Sequence, residues 1–336
     1  MRISVFPKGD LDAIAVTRTM TVFEWITKAA PLPADGLELY SGMFWQKDTD
    51  YLDAIGEALQ AEGFEMPMLC TSPDFTNPDA AVRASEFDRQ IEMMKTARHL
   101  GGAGASARVL SGQKHPDVSR EVGVGYVVDA YQSLLPIARE LDVTLAMENH
   151  YKDGTWAYVE FAQKSDVFLE IVGSIEDRVH FGVQFDPSNA LVAGDDAADF
   201  LESVIDRVVT MQASDRFLSP GASLNDLRKT DGTIGYSPAL QHGVIGKGLN
   251  NYERIFTTLS TNGYDGWISI EDGVNGMQEM HDSVLYLREA RDLYWGGSTA
   301  VRVEGQETAR AAVGLESLAR PDLGDDALAT GREQAR

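Results

Sequence analysis

Residues 143–150 read VTLAMENH and residues 180–189 read HFGVQFDPSN. Each is a short run of apolar and β-branched residues that ends abruptly in acids and amides. The apolar character is nearly continuous rather than alternating, which is the pattern of a parallel strand covered by helices on both faces. Working outward, six more runs have this character: Ile3–Phe6, Gly36–Tyr40, Met66–Cys70, Ala107–Leu110, Val208–Gln212 and Trp267–Glu271. With Val143–Glu148 and His180–Asp186 they make eight, separated by longer helical patterns. Thr21 and Glu24 have capping-box spacing, and Asn250 with Glu253 offers a similar start. Val127, Tyr131, Leu134, Leu135 and Ala138 form one helical face within Val122–Leu141. Eight strand-helix units in unbroken alternation predict a (β/α)8 TIM barrel over residues 1–295, the eighth helix being Ser283–Tyr294. Residues 296–336 form a C-terminal extension, rich in Ala, Gly and charge from Arg302 onward, and read as an arm on the surface or at a subunit contact.

The chain has 336 residues, 43% of them hydrophobic, and a formal net charge of −23. Nucleic acid and anionic membranes both call for a basic face, so neither is an expected partner. The single cysteine excludes an intramolecular disulfide and a Cys-rich zinc site. The opening MRISVFPKGDLD lacks an apolar signal core, and a cytoplasmic location is expected. No G-x-G-x-x-G follows the first strand and no G-x-x-x-x-G-K-[ST] occurs, which removes the main support for a nucleotide-binding open sheet.

In such barrels the chemistry sits at the C-terminal ends of the strands. Four successive strands end there in oxygen donors: Glu148, Asp186, Gln212 and Glu271. Converging carboxylates would repel one another without a cation. Three carboxylates and an amide oxygen form a hard shell that suits Mn²⁺ or Mg²⁺ better than Zn²⁺. His150 follows Glu148 by two residues and is the candidate general base. His180 starts its strand at the opposite end and reads as structural; His99 and His281 read as surface or packing residues. His115 and His242 lie in loops on the functional face. The connection Arg216–Gly248 is long for a loop and includes Arg228, Lys229, Asp231, His242 and Lys247; such length is more typical of a lid than of a spacer. His242 and Lys229 are candidate acids. In the run Met43-Phe44-Trp45 the side chains either cover a substrate or pack beneath a loop.

At these residues the sequence resembles the xylose-isomerase-like barrels, the sugar phosphate isomerase/epimerase group. The likeness lies in AMENH, FDPSN, MQASDR and GVIGKGLNNYERIFTTLSTNGYDGWISIED, and follows the order of elements through residues 1–295. The resemblance implies a metal set of Glu, Asp, His and Glu, which falls on Glu148, Asp186, Gln212 and Glu271, with Gln212 departing from the pattern. A neutral amide oxygen in place of a nitrogen ligand weakens binding of softer metals. Within the group the sequence looks most like the catalytic α subunit of bacterial C-glycoside deglycosidases. That likeness implies cleavage of a 3-oxo-C-glycoside by proton abstraction at C2 and elimination of the aromatic aglycone, with Mn²⁺ or another divalent ion, His150, Glu148 and Glu271 in the chemistry, and a small β subunit as partner. The alternative is a metal-dependent isomerase or epimerase of free or phosphorylated keto sugars, which needs the same proton chemistry.

Overall fold

All eight expected runs form strands, and the second is broken in two. In the computed structural model, which describes residues 1–223, 226 and 239–296, the elements follow in this order. β1 (Arg2–Val5) leads to α1 (Val22–Ala29). β2 (Gly36–Leu37) and β3 (Leu39–Tyr40) precede α2 (Thr49–Ala61). Then come β4 (Met68–Cys70), α3 (Ala80–Gly101), β5 (Ser106–Val109), α4 (Arg120–Leu141), β6 (Thr144–Glu148) and α5 (Ser165–Gly173). β7 (Phe181–Phe185), α6 (Pro187–Ala193), α7 (Ala197–Val204) and β8 (Val208–Ala213) complete the third quarter. The hairpin β9 (Asp215–Leu218) and β10 (Leu240–Gly243) precedes α8 (Tyr252–Thr261), β11 (Trp267–Ile270) and α9 (Met277–Trp295).

The main sheet has the order β2-β1-β11-β8-β7-β6-β5-β4-β3, and every pairing in it is parallel. Its two ends, β2 and β3, are the two halves of the run Gly36–Tyr40, so the sheet comes full circle at Glu38. The break lets one run pair with β1 on one side and with β4 on the other. This is the eight-unit barrel the alternation predicts, with its functional pole at the strand C-termini. β7 and β8 approach closely at Gly182, where a Cβ would lie 2.3 Å from a Val209 methyl and 2.7 Å from the Arg207 carbonyl; a side chain there would force the strands apart.

Local sequence signals hold well. Thr21 accepts from the Glu24 amide while Glu24 accepts from the Thr21 amide, the reciprocal cap its spacing predicts. Val127, Tyr131, Leu134, Leu135 and Ala138 are all buried, and the Tyr131 hydroxyl donates to the Val109 carbonyl at 2.6 Å, fastening α4 to β5. Three boundaries are corrected. The helix before β11 is capped by Asn251, not Asn250, because the Asn250 amide group bonds Ser188 and Ser214 instead. The last helix begins six residues before Ser283, at Met277. The connection after β8, expected as a loop, opens and closes with the antiparallel hairpin β9–β10. Arg228, Lys229, Asp231 and residues 297–336 lie outside the described residues. Among the described residues no helix is long and apolar enough to cross a membrane.

Candidate metal and proton-transfer site

The four expected donors arrive at the same pole by different local routes. Glu148 is the last residue of β6 and Gln212 lies within β8. Asp186 follows β7 and caps α6, accepting from the Asn189 amide at 2.9 Å. Glu271 follows β11 directly. All four are buried, Glu148, Asp186 and Gln212 completely. Asn149 clamps the two central strand ends, donating to the Asp186 carbonyl at 2.7 Å and accepting from its amide at 2.8 Å.

Burial of so much acid demands partners, and the chain supplies cations that sequence reading missed. Arg108 donates to Glu148 Oε2 at 2.8 Å, and Lys8 to Glu271 Oε1 at 2.7 Å. Asn189 donates to the other Glu148 oxygen at 2.9 Å, and Ser214 to Asp186 Oδ1 at 2.8 Å. Arg108 stands inside the apolar run Ala107–Leu110, and a charge in a doubly covered strand was the available signal. The same signal marked Glu38, fully buried at the break between β2 and β3, where it accepts from Gln212 Nε2 at 2.8 Å. Burial pushes the Glu38 carboxyl up to about 8, against the pull of Gln212. Since Gln212 commits its NH₂ to Glu38, its oxygen faces away from that carboxyl.

The electrostatics sort the acids. Burial and the nearby charges of Glu271 and Glu148 push Asp186 up to about 8. Burial acts in the same sense on Glu271, but Lys8, then Arg216 and His150, outweigh it and hold that carboxyl down at about 2. Burial raises Glu148 despite Arg108. Asp186 Oδ2 and Gln212 Oε1 are buried oxygens with no hydrogen-bond partner. Oxygen donors of this kind, crowded by like charge and left unsatisfied, match what a hard divalent cation needs. Among the described residues no group of three or more His, Cys, Asp or Glu side chains is placed to hold a metal ion. Lys8 and Arg108 keep Glu271 and Glu148 engaged instead. The fit is therefore one of donor type and charge.

The histidines divide as the strand ends imply. His150 is buried beside Glu148, stacks on Tyr151 with ring centroids 5.1 Å apart, and sets Nδ1 3.6 Å from Glu160 Oε2. Burial lowers its pKa, but Glu148 and Glu160 outweigh it and the net shift is upward. His180 bonds the Val143 carbonyl through Nδ1 and is structural. His99 pairs with Asp53, and His115 with Asp74. The Met43-Phe44-Trp45 run packs: Met43 and Phe44 are buried and Trp45 donates to the Ile14 carbonyl at 3.1 Å.

The hairpin adds a second element to the pole. Asp215 gathers the backbone N–H groups of Arg216, Gly246, Gly248 and Asn250 at 2.8–3.2 Å, so the segment that follows β10 is folded onto one carboxylate. Gly248 permits this approach, because a Cβ there would stand 2.3 Å from both Asp215 Oδ1 and the Arg216 carbonyl. Arg216 and His242 face each other across the hairpin, Nη1 to Nδ1 at 2.7 Å.

A family model described as the xylose isomerase-like TIM barrel matches residues 26–290. The chain belongs to this family. No curated protein matches it. Solved structures share the fold at low identity. A D-tagatose 3-epimerase-like protein is 18% identical with a TM-score of 0.66, the match covering 88% of this chain and 98% of that one. A 3-keto-D-glucoside 4-epimerase from E. coli is 14% identical with a TM-score of 0.60, over 86% and 99%. The IolI protein, solved with a zinc atom, is 16% identical with a TM-score of 0.63, over 87% and 97%.

Proposed function

We propose that the protein is a divalent-metal-dependent isomerase or epimerase of keto sugars that moves the proton on the carbon next to a ketone. The observation that carries this reading is the pair of buried, unpartnered oxygens, Asp186 Oδ2 and Gln212 Oε1, between two further buried acids at the C-terminal pole. Family membership supports it, as do the epimerases that share the fold. Glu148, Asp186, Gln212 and Glu271 would hold the ion, Mn²⁺ or Mg²⁺, which would act there as a Lewis acid toward the substrate carbonyl. Glu148, its pKa raised by burial, is a stronger base than an ordinary carboxylate. Glu271 stays ionised beside Lys8. His150 keeps its proton further into neutral pH than an ordinary histidine, because Glu148 and Glu160 flank it. Groups on different strands can thus remove a proton and return one, which is what epimerisation requires.

Cleavage of a 3-oxo-C-glycoside would start with the same proton removal and end with loss of the aglycone. Phe44 is buried and the Trp45 indole N–H bonds the Ile14 carbonyl, so neither observation gives an aglycone-covering ring, and the epimerases that share the fold support reprotonation. The small β subunit belongs to the cleavage reading.

Incubation with free and phosphorylated ketoses and with 3-oxo-glucosides in deuterated buffer tests the proposal. The expected result is deuterium beside the ketone, abolished by chelation and restored by Mn²⁺ or Mg²⁺. Aglycone release without sugar interconversion would replace this reading by the lyase. His150→Gln should keep its metal and lose exchange by about 10²–10⁴-fold, the usual contribution of a proton-transfer residue; exchange at the wild-type rate would remove His150 from the mechanism. Gln212→His should stay folded and shift metal preference toward Zn²⁺ or Co²⁺, read by competition binding.

A further inference from the structure

We propose that Glu160 is the positioning residue of the site: its carboxylate fixes the His150 imidazole with hydrogen on Nδ1, so that Nε2 is the nitrogen that trades a proton with substrate. The inference rests on the proposed proton transfer beside a ketone and names the residue that aims the transferring ring.

Glu160 reaches His150 because the segment after β6 doubles back. The Glu160 N–H donates to the Tyr151 carbonyl at 2.8 Å, which closes residues 151–160 into a loop beside His150. The returning stretch lies against the chain that follows β5. Glu160 forms an antiparallel bridge with Gln113, the Lys114 N–H donates to the Val159 carbonyl, and the Phe161 N–H donates to the Gly112 carbonyl, both at 2.8 Å. There the Glu160 carboxylate is fully buried. Its Oε1 accepts from the Ser111 amide at 2.8 Å and from the Ser111 hydroxyl at 2.5 Å. Ser111 is fixed in turn, its Oγ accepting from the Ala162 amide at 3.1 Å.

Tying the loop needs Oε1 alone. Oε2 lies 3.6 Å from His150 Nδ1, and both atoms are buried without a hydrogen bond. Buried polar atoms are paired in the great majority of cases. These two are complementary, because a carboxylate only accepts and an imidazole Nδ1–H donates. A shift of about 0.8 Å closes them to a charge-assisted hydrogen bond of about 2.8 Å. The ring is held at the pole from both sides along the chain. Asn149 clasps the Asp186 backbone at 2.7 and 2.8 Å, and Tyr151 stacks on the imidazole. With Nδ1–H given to Glu160, Nε2 presents a lone pair when the ring takes a proton and a hydrogen when it returns one.

The first test needs no turnover. Long-range proton–nitrogen correlation spectra of the full chain with labelled histidine should show Nδ1 of one ring protonated from pH 6 to 9, the signal being missing in His150→Gln. Glu160→Gln is the discriminating variant. The Ser111 amide can only donate, so the introduced amide must turn its oxygen there and its NH₂ toward Nδ1. A donor at that point demands a lone pair on Nδ1 and moves the hydrogen to Nε2. The variant should melt as the wild type does, because the contacts of Oε1 survive, yet show the inverted tautomer. An unprotonated Nδ1 in the wild type, or an unchanged ring in Glu160→Gln, would overturn the inference, whatever the reaction proves to be. The second test uses a keto sugar that the wild type exchanges. Glu160→Gln should lower kcat by about 10²–10⁴-fold with little change in KM, the scale on which a misdirected histidine loses its proton-transfer role. Wild-type kcat with an inverted tautomer would overturn the catalytic consequence. If the wild type exchanges no keto sugar while both tautomers are as expected, the functional reading falls and the hold of Glu160 on the ring stands.

Discussion

Arg108→Met is expected to lower the unfolding free energy by about 3–5 kcal/mol, the usual cost of removing one partner from a buried ion pair. Both groups of this pair lie inside the barrel, with side chains 5% and 0% exposed and 2.8 Å between Nη1 and Oε2. Removing the guanidinium would leave Glu148 charged, buried and opposed by Glu271, whose charge already raises it. Glu148 cannot relax toward water, since its other oxygen is held by Asn189. The double variant Arg108→Met/Glu148→Gln should recover most of the loss, because the amide carries no charge to strand. Urea denaturation of the four proteins in a double-mutant cycle reads the coupling. If the single variant lost less than about 1 kcal/mol, the pair would be behaving as a solvated one.

This pair also shows where sequence reading reached its limit. The eight strands were legible because parallel strands covered on both faces need near-continuous apolar runs, and such runs are visible without knowing their neighbours. The four strand-end donors were legible for a similar reason: each ends an apolar run. What could not be read was which charge meets which. Lys8 and Glu271 are bonded across 263 positions of sequence, and Arg108 finds Glu148 one strand away. The barrel's closure at Glu38 was hidden because five residues, Gly36–Tyr40, looked like one strand, whereas pairing with β1 and with β4 requires two directions. The hairpin after β8 was hidden in a stretch whose alternation is too short to distinguish from a loop. Its consequence, the Arg216–His242 contact, could not be inferred from two residues that merely share a loop.

Asp186→Asn should separate the residue's structural role from its proposed role toward a metal. Asp186 Oδ1 caps α6 and accepts from Ser214, and an asparagine oxygen can do both, since Asn and Asp are comparable N-caps. What the substitution removes is a buried charge that burial, Glu271 and Glu148 all disfavour. The metal-free variant should therefore melt no lower than the metal-free wild type. With Mn²⁺ or Mg²⁺ the order should reverse. An ion bound only by the folded state adds about 2.7 kcal/mol at a hundredfold excess over Kd, and the wild type should gain this while the variant gains little. Exchange beside a ketone should fall by about 10³-fold, which corresponds to about 4 kcal/mol of lost transition-state stabilisation. Thermal melts with and without ion, set beside the exchange rate, keep the two roles apart. A lower melting temperature in the metal-free variant would show that Asp186 is chiefly a cap and strand tie. An unchanged gain with Mn²⁺ would place the ion elsewhere, because Oδ2 is the one Asp186 oxygen left without a partner.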